Sequence, residues 1–237
     1  ENQVEAELAR FQAALEAAHR DLETIRDGIA AELGEHEAQI YEAHLMMLED
    51  PDLRAHVERC IRTDHKPAGL CFRSYMSQLA ARLEQVENEY LRERRADVLD
   101  VERRVLRHLL GGGPRLLGSL DHPCVLVAHD VPPSDVAMLD RKRVLGFVTE
   151  VGSRTSHCAI VARGRGIPAV VSVSGVLQRV KNGDVGAVDG FLGRFDVNPA
   201  GEERAAIEAS RECSEREGQE LLELRELPAV TLDGHTI

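Results

Sequence analysis

The sequence predicts an α/β fold combined with an all-α one. A helical bundle is expected over residues 1–110, a small α/β domain over 111–200, a linker helix over 201–226, and the start of a further region over 227–237. Three observations carry this. The apolar period changes from helical to strand-like after Gly111-Gly112-Gly113-Pro114 and returns to helical after Pro199. Aromatic residues are 3% of the chain and Trp is absent, so the core must be built from Leu, Val, Ile and Ala. Short β-branched runs separated by helical pieces occupy the stretch between the two changes of period.

Each element follows from its pattern. Val4, Leu8, Phe11, Leu15, Ala18, Leu22, Ile25 and Ile29 step by threes and fours, which places one apolar stripe on a first helix ended by Gly34. A second helix carries Ile40, His44, Met47 and Leu48 and stops near Asp50-Pro51. A third starts with Asp52 as N-cap and carries Leu53, Val57, Cys60 and Ile61. Pro67 opens a fourth through Met76, Leu79, Leu83 and Val86, and Val98, Val101, Val105 and Leu109 mark a fifth. Strands are expected at 124–128, 144–148 and 169–173, with a hairpin of 185–188 and 191–197 turning at Gly190. Helical pieces fall at 134–139 and 156–163, and the segment from Pro199 to about Glu226 is Glu/Arg-rich and helical.

Composition excludes several classes. The net charge of -12 disfavours nucleic acid as a partner. No apolar run reaches membrane-spanning length and no signal peptide is visible, so no membrane insertion is expected. Five cysteines at irregular spacing, with no CxxC pair, predict neither a disulfide framework nor a zinc site, and fit a cytoplasmic location. His36, His44 and His65 with Cys60 and Cys71 lack metal-ligand spacing, so no metal is expected. The sequence starts within a helical pattern and stops at Thr236-Ile237, as a fragment of a longer protein would, and the fragment is expected to be a monomer.

The window of most chemical interest runs Gly152-Ser153-Arg154-Thr155-Ser156-His157-Cys158-Ala159-Ile160-Val161-Ala162-Arg163, then Gly166-Ile167-Pro168-Ala169-Val170-Val171. Thr155 or Ser156 is a natural N-cap, which puts His157 in a first helical turn. First-turn N–H groups lack intrahelical acceptors and the helix dipole is positive there, so a bound phosphoryl group would be stabilised. The hydroxyls of Thr155 and Ser156 and the guanidinium of Arg154 add donors. The same positive end disfavours imidazolium, and with an ordinary pKa of roughly 6.5 the ring is easily kept as the neutral nucleophile. By spacing alone, a capping or surface histidine is the commoner explanation of such a residue.

The string Thr-Ser-His-x-Ala-Ile-x-Ala-Arg followed by Ile-Pro-Ala-Val-Val resembles the active-site signature of Enzyme I and related phosphoenolpyruvate-utilising enzymes. Residues 42–51 (Glu42-Ala43-His44-Leu45-Met46-Met47-Leu48-Glu49-Asp50-Pro51), 88–98, 131–134 and 227–234 resemble Enzyme I in the same order. The resemblance implies a swivelling phosphohistidine α/β domain with an inserted helical subdomain. It implies that His157 takes a phosphoryl group from phosphoenolpyruvate, bound with Mg2+ on a C-terminal barrel outside this chain, and gives it to a histidine of the carrier HPr in sugar uptake or its regulation. No cofactor is implied within the chain itself. Carrier contacts are implied at Glu35, His44, Met46, Met47, Asp50, Leu53 and Arg94; the alternative for the Met46-Met47 cluster is bundle core. Two other functions fit the signature: the phosphohistidine domain of a pyruvate phosphate dikinase or phosphoenolpyruvate synthase, which should lack the helical segment, and a non-catalytic regulatory module of the same fold. Three positions depart from the family pattern: Ser153 and Ser172 replace Gly, and Val136 replaces a Thr whose hydroxyl touches the active histidine.

Overall fold

The computed structural model describes residues 2–112, 122–154 and 156–224. It divides into two compact units, one of residues 1–179 with 188–194, the other of residues 180–187 with 195–237. The expected break at Gly113-Pro114 and the start of a further region at 227–237 lie outside the described residues.

In the first unit, helices α1 (Asn2–Leu33), α2 (Glu35–Glu49), α3 (Pro51–Asp64), α4 (Ala68–Glu84) and α5 (Glu89–Leu109) form the bundle. The stripe of α1 is buried as its spacing requires, from Phe11 through Leu15, Leu22 and Ile25 to Ile29. Gly34 ends α1 at φ +112°, a left-handed value that a side chain would strain. The cap of α3 is Asp50 rather than Asp52: its carboxylate accepts from the Asp52 N–H at 2.9 Å, with Pro51 in the first turn. Pro67 has no capping side chain, and Glu7 of α1 accepts from the Ala68 N–H at 2.7 Å instead. Asn88 caps α5 through the Leu91 N–H.

Cys60 of α3 and Cys71 of α4 are paired, with Cα atoms 5.9 Å apart. The spacing of the five cysteines, read as giving no disulfide framework, did not reveal this pair. Eleven residues separate them in sequence, but the turn at His65–Pro67 folds α4 back so that the two positions face each other.

The same unit contains a parallel sheet in the order β1-β2-β3, formed by β1 (Cys124–Ala128), β2 (Val144–Thr149) and β3 (Ala169–Val170). Helix α6 (Pro133–Ala137) connects β1 to β2, and α7 (His157–Gly164) connects β2 to β3. Gly146 lets β2 approach the next segment closely, because a Cβ there would stand 3.0 Å from the Pro168 carbonyl. At the end of α7 a Cβ on Gly164 would come within 2.7 Å of Leu33, so α7 packs close against α1.

Polar contacts fix the sheet-side helices to the bundle. Ser134 donates its hydroxyl to Asp100 of α5 at 2.7 Å and its N–H to the other carboxylate oxygen at 3.2 Å, while Tyr41 of α2 donates to the Pro133 carbonyl at 3.1 Å. Arg165 holds the opposite end of α6, donating to the carbonyls of Val136, Ala137 and Leu139 and to Glu32 of α1. Short α6 is thus anchored at both ends, and α7 is held through the residue that follows it.

β3 is shorter than expected because Ser172 adopts φ +63° and leaves the extended conformation. In the hairpin, β4 (Gly186–Asp189) and β5 (Arg194–Val197) pair as a two-stranded sheet. Phe191 and Leu192, expected in the second strand, belong to its turn, where the Asp189 carboxylate accepts from both of their N–H groups. In the second unit, α8 (Glu202–Leu224) follows the hairpin, with its described side chains mostly exposed.

Candidate functional site

Ser156 is the N-cap of α7. Its hydroxyl accepts from the Ala159 N–H at 3.3 Å and donates to the Ser153 carbonyl at 2.8 Å. The cap fixes where the helix starts, and His157 is its first residue. The preceding loop is tied to the strand edge. The Val173 N–H donates to Thr149 at 2.9 Å, and the Ser172 hydroxyl donates to the Gly152 carbonyl at 2.5 Å. The hydroxyl bond offsets part of the cost of a non-glycine residue in the left-handed region, about 1–2 kcal/mol. Ser172 therefore fits where the family uses Gly.

The His157 side chain is 32% exposed, enough to meet a partner while resting on the protein. Its inner side faces α5. Nδ1 stands 3.9 Å from Oδ1 of Asp97, a carboxylate that is 1% exposed. Behind Asp97 lies His44 of α2, fully buried, with Nε2 3.5 Å from the same oxygen. Arg94 donates to the other oxygen of Asp97 at 3.3 Å. Two imidazoles and a guanidinium therefore converge on one buried carboxylate. Cys158, next to His157, is no competing nucleophile: burial, reinforced by Asp130 and Asp100, pushes its thiol up to about 12.

The other expected site residues divide. Arg154 is exposed in the loop before His157 and makes no hydrogen bond or ion pair among the described residues, so its guanidinium is available to an anion. Thr155 lies outside the described residues. Of the carrier-contact set, Glu35 is exposed and Met46 is 71% exposed. Met47 is half-buried and packs on the core, and Asp50 is committed to capping α3 and to accepting from Tyr75. His44 and Leu53 are 0% and 1% exposed, so direct contact with a carrier is corrected for both: each points into the bundle. Arg94 is held against Asp97 rather than lying in an open charged face. Asp97 is the residue that sequence reasoning missed. Its signal was an acidic residue beside the apolar stripe Val98–Val101–Val105, three residues after Arg94.

Comparison with known proteins agrees with this layout. Residues 1–94 match the family described as "PEP-utilising enzyme, N-terminal", and residues 120–193 match "PEP-utilising enzyme, mobile domain". The solution structure of Enzyme I (nEIt) superposes with a TM-score of 0.71 at 40% identity, covering 90% of this chain and 86% of that one. The chain belongs to the Enzyme I family of phosphoenolpyruvate-utilising enzymes. The N-terminal domain of Enzyme 1 - Nitrogen gives a TM-score of 0.59 at 25% identity, covering 88% of this chain and 84% of that one. Phosphoenolpyruvate-protein phosphotransferase of Staphylococcus aureus (strain Mu50 / ATCC 700699) is 39% identical over 98% of this chain, and that of Bacillus sp. (strain S) is 42% identical over 98%. The chain spans 40% of the length of these two relatives. The α/β domain and helical subdomain expected from the residues are thus those of Enzyme I amino-terminal regions.

Proposed function

We propose that this chain is the phosphohistidine-bearing part of a phosphoenolpyruvate–protein phosphotransferase, and that His157 relays a phosphoryl group from phosphoenolpyruvate to a histidine of HPr. The observation that carries this is a partly exposed histidine at position one of a capped helix, preceded by Arg154, which makes no hydrogen bond or ion pair among the described residues. The α7 dipole and Arg154 oppose the negative charge of an arriving phosphoryl group. The chain's own share of the chemistry is positioning and charge stabilisation, as phosphoryl transfer generally demands.

Phosphoenolpyruvate and Mg2+ are assigned to another part of the full-length protein. Among the described residues no three His, Cys, Asp or Glu side chains converge to hold a metal, so no step here is routed through one. The carrier is assigned to α2. Glu35, Glu42 and Met46 lie on its exposed face at spacings of seven and four, an acidic stripe with one apolar contact. Such a face suits a basic carrier with an apolar centre. α8 is proposed as the linker across which the histidine domain swings between donor and acceptor. No helix among the described residues is long and apolar enough to cross a membrane, and a cytoplasmic location suits a soluble carrier as partner.

Incubation with radiolabelled phospho-HPr tests the reading. The parent should acquire an acid-labile, alkali-stable label, and His157→Ala should acquire none. A label retained in that variant would refute the assignment of His157.

A further inference from the structure

Between α3 and α4 lies an open groove of about 390 Å3, a size that suits a small molecule. The paired Cys60 and Cys71 both line it. The two differ in access: Cys71 is 1% exposed, whereas Cys60 is only partly buried and packs at the edge of the core. Their bond is not what closes the bundle. Leu53, Val57 and Ile61 of α3 and Phe72 and Met76 of α4 are buried in the shared core on their own account. A disulfide that solvent can reach and that packing does not depend on belongs with the labile disulfides rather than the structural ones. The charge around it is also unusual for this chain. The net charge is -12, yet the groove sets the basic residues His56, Arg59 and Lys66 against the single carboxylate of Asp64. Lys66 pairs with Asp64 at 3.2 Å, His56 packs on the Tyr75 ring with centroids 5.2 Å apart, and Arg59 makes no hydrogen bond or ion pair among the described residues.

We propose that this groove is a thiol–disulfide exchange site for a low-molecular-weight thiol that carries carboxylates, and that Cys60 is the residue it attacks. The incoming thiolate forms a bond to Sγ of Cys60. The Cys60–Cys71 bond breaks, and its electron pair leaves on Sγ of Cys71, which then takes up a proton. That sulfur lies 3.7 Å from the Lys66 carbonyl, which accepts from the new thiol. A second thiolate attacks the small-molecule sulfur of the mixed disulfide, which leaves Cys60 as a thiolate, then a thiol, and releases the symmetrical small disulfide. The reverse sequence forms the pair again from that small disulfide. Two electrons thus pass between the chain and the small thiol, and no other oxidant or reductant is needed. Arg59 draws the carboxylates of the thiol into the groove against the field of an acidic chain. Leu70, 59% exposed, offers an apolar wall to the carbon chain. The site is confined to the helical bundle and does not depend on the role of His157.

The test uses the whole chain with Cys213→Ser, which removes the exposed free thiol. The chain is oxidised with glutathione disulfide, freed of it, and treated with reduced glutathione, a thiol that carries carboxylates. Acid stops the reaction, and alkylation with peptide mass spectrometry maps each sulfur. Glutathione should appear on Cys60, with Cys71 as the freed thiol. Cysteamine, a thiol with an ammonium in place of carboxylates, is run beside it. Comparing the ratio of the two rates between this chain and the same chain with Arg59→Glu cancels the intrinsic reactivity of each thiol. Arg59 is exposed, so the fold should persist, and circular dichroism checks it. Reversing that charge should lower the glutathione-to-cysteamine ratio on the order of tenfold at low ionic strength. Without the substitution, added salt should lower the ratio too, whereas the overall negative charge acting alone would make it rise. A pair that does not form under glutathione disulfide, glutathione on Cys71 with Cys60 freed, or a ratio unchanged in a folded Arg59→Glu each overturns the proposal. So does a ratio that stays flat or rises with salt, which keeps the test decisive even if the variant does not fold.

Discussion

Replacing Arg165 should loosen the framework that holds α7, and its size can be worked from the contacts. One guanidinium nitrogen donates to the carbonyls of Val136, Ala137 and Leu139 at 3.0, 2.7 and 3.1 Å, and Nε donates to Glu32 at 3.1 Å. The side chain is 13% exposed, so these bonds are only weakly screened, while Glu32 is 39% exposed. The ion pair at that exposure contributes about 0.5 kcal/mol. A charged donor to buried carbonyls contributes about 1.5–3 kcal/mol, and Arg165→Ala leaves helix-end acceptors without their partner. Together these give about 3 kcal/mol, a fall of roughly 6–12 °C in the midpoint for a chain of this size. Arg165→Lys should lose about half as much, because a single ammonium cannot reproduce the guanidinium geometry. Glu32→Ala should lose under about 1 kcal/mol. Thermal unfolding by far-UV circular dichroism compares the three. If Arg165→Ala melts no earlier than Glu32→Ala, the carbonyl contacts do not fix α6 and the reasoning fails.

On the proposed assignment of the carrier to α2, Met46→Asp should weaken HPr binding on the order of thirtyfold, equivalent to about 2 kcal/mol, with the fold intact because Met46 is 71% exposed; calorimetric titration at parental affinity would move the docking face elsewhere. Asp135 has its carboxyl raised by burial first and by Asp100 second, so its ionisation costs stability. A raised folded pKa makes its contribution full below the unfolded value and lost as pH rises through the folded one; Asp135→Asn should therefore melt above the parent at neutral pH, with the gap closing on acidification, and a lower midpoint at neutral pH would contradict this. Ser172→Ala should cost about 1 kcal/mol by losing the bond to Gly152 while keeping φ positive, whereas Ser172→Gly should be near neutral because relief of strain offsets the lost bond; equal melting of the two variants would show that the φ value is immaterial.

The helical half was legible because its signal is repeated. The α1 stripe states one face eight times between Val4 and Ile29, and all of it is buried or packed on the core. Single residues were read less well, because one residue supports several structures. Asp50 and Asp52 both suit a cap, and only the position of Pro51 in the first turn decides for Asp50. Phe191-Leu192 has strand composition, but Asp189 two and three residues earlier bends the chain into a turn. Met46 and Met47 are adjacent and so point in different directions on a helix, one to solvent and one to the core.

The site divides along the same line. Ser156 and His157 are adjacent in sequence, so their relation is local and a cap rule recovers it. Asp97 and His44 reach His157 from α5 and α2, at separations of 60 and 113 residues, and no periodic signal encodes such a meeting. It depends on α6 being held at one end by Asp100 and at the other by Arg165, which sets α7 against the bundle. Asp97 and Asp100 are three residues apart on one helix, so the carboxylate that anchors the sheet-side layer and the carboxylate that faces His157 share a rigid support. A shift of α5 would move both together. The geometry at His157 is therefore a property of the joint between bundle and sheet, and substitutions at Ser134 or Arg165 should reach the histidine without touching it.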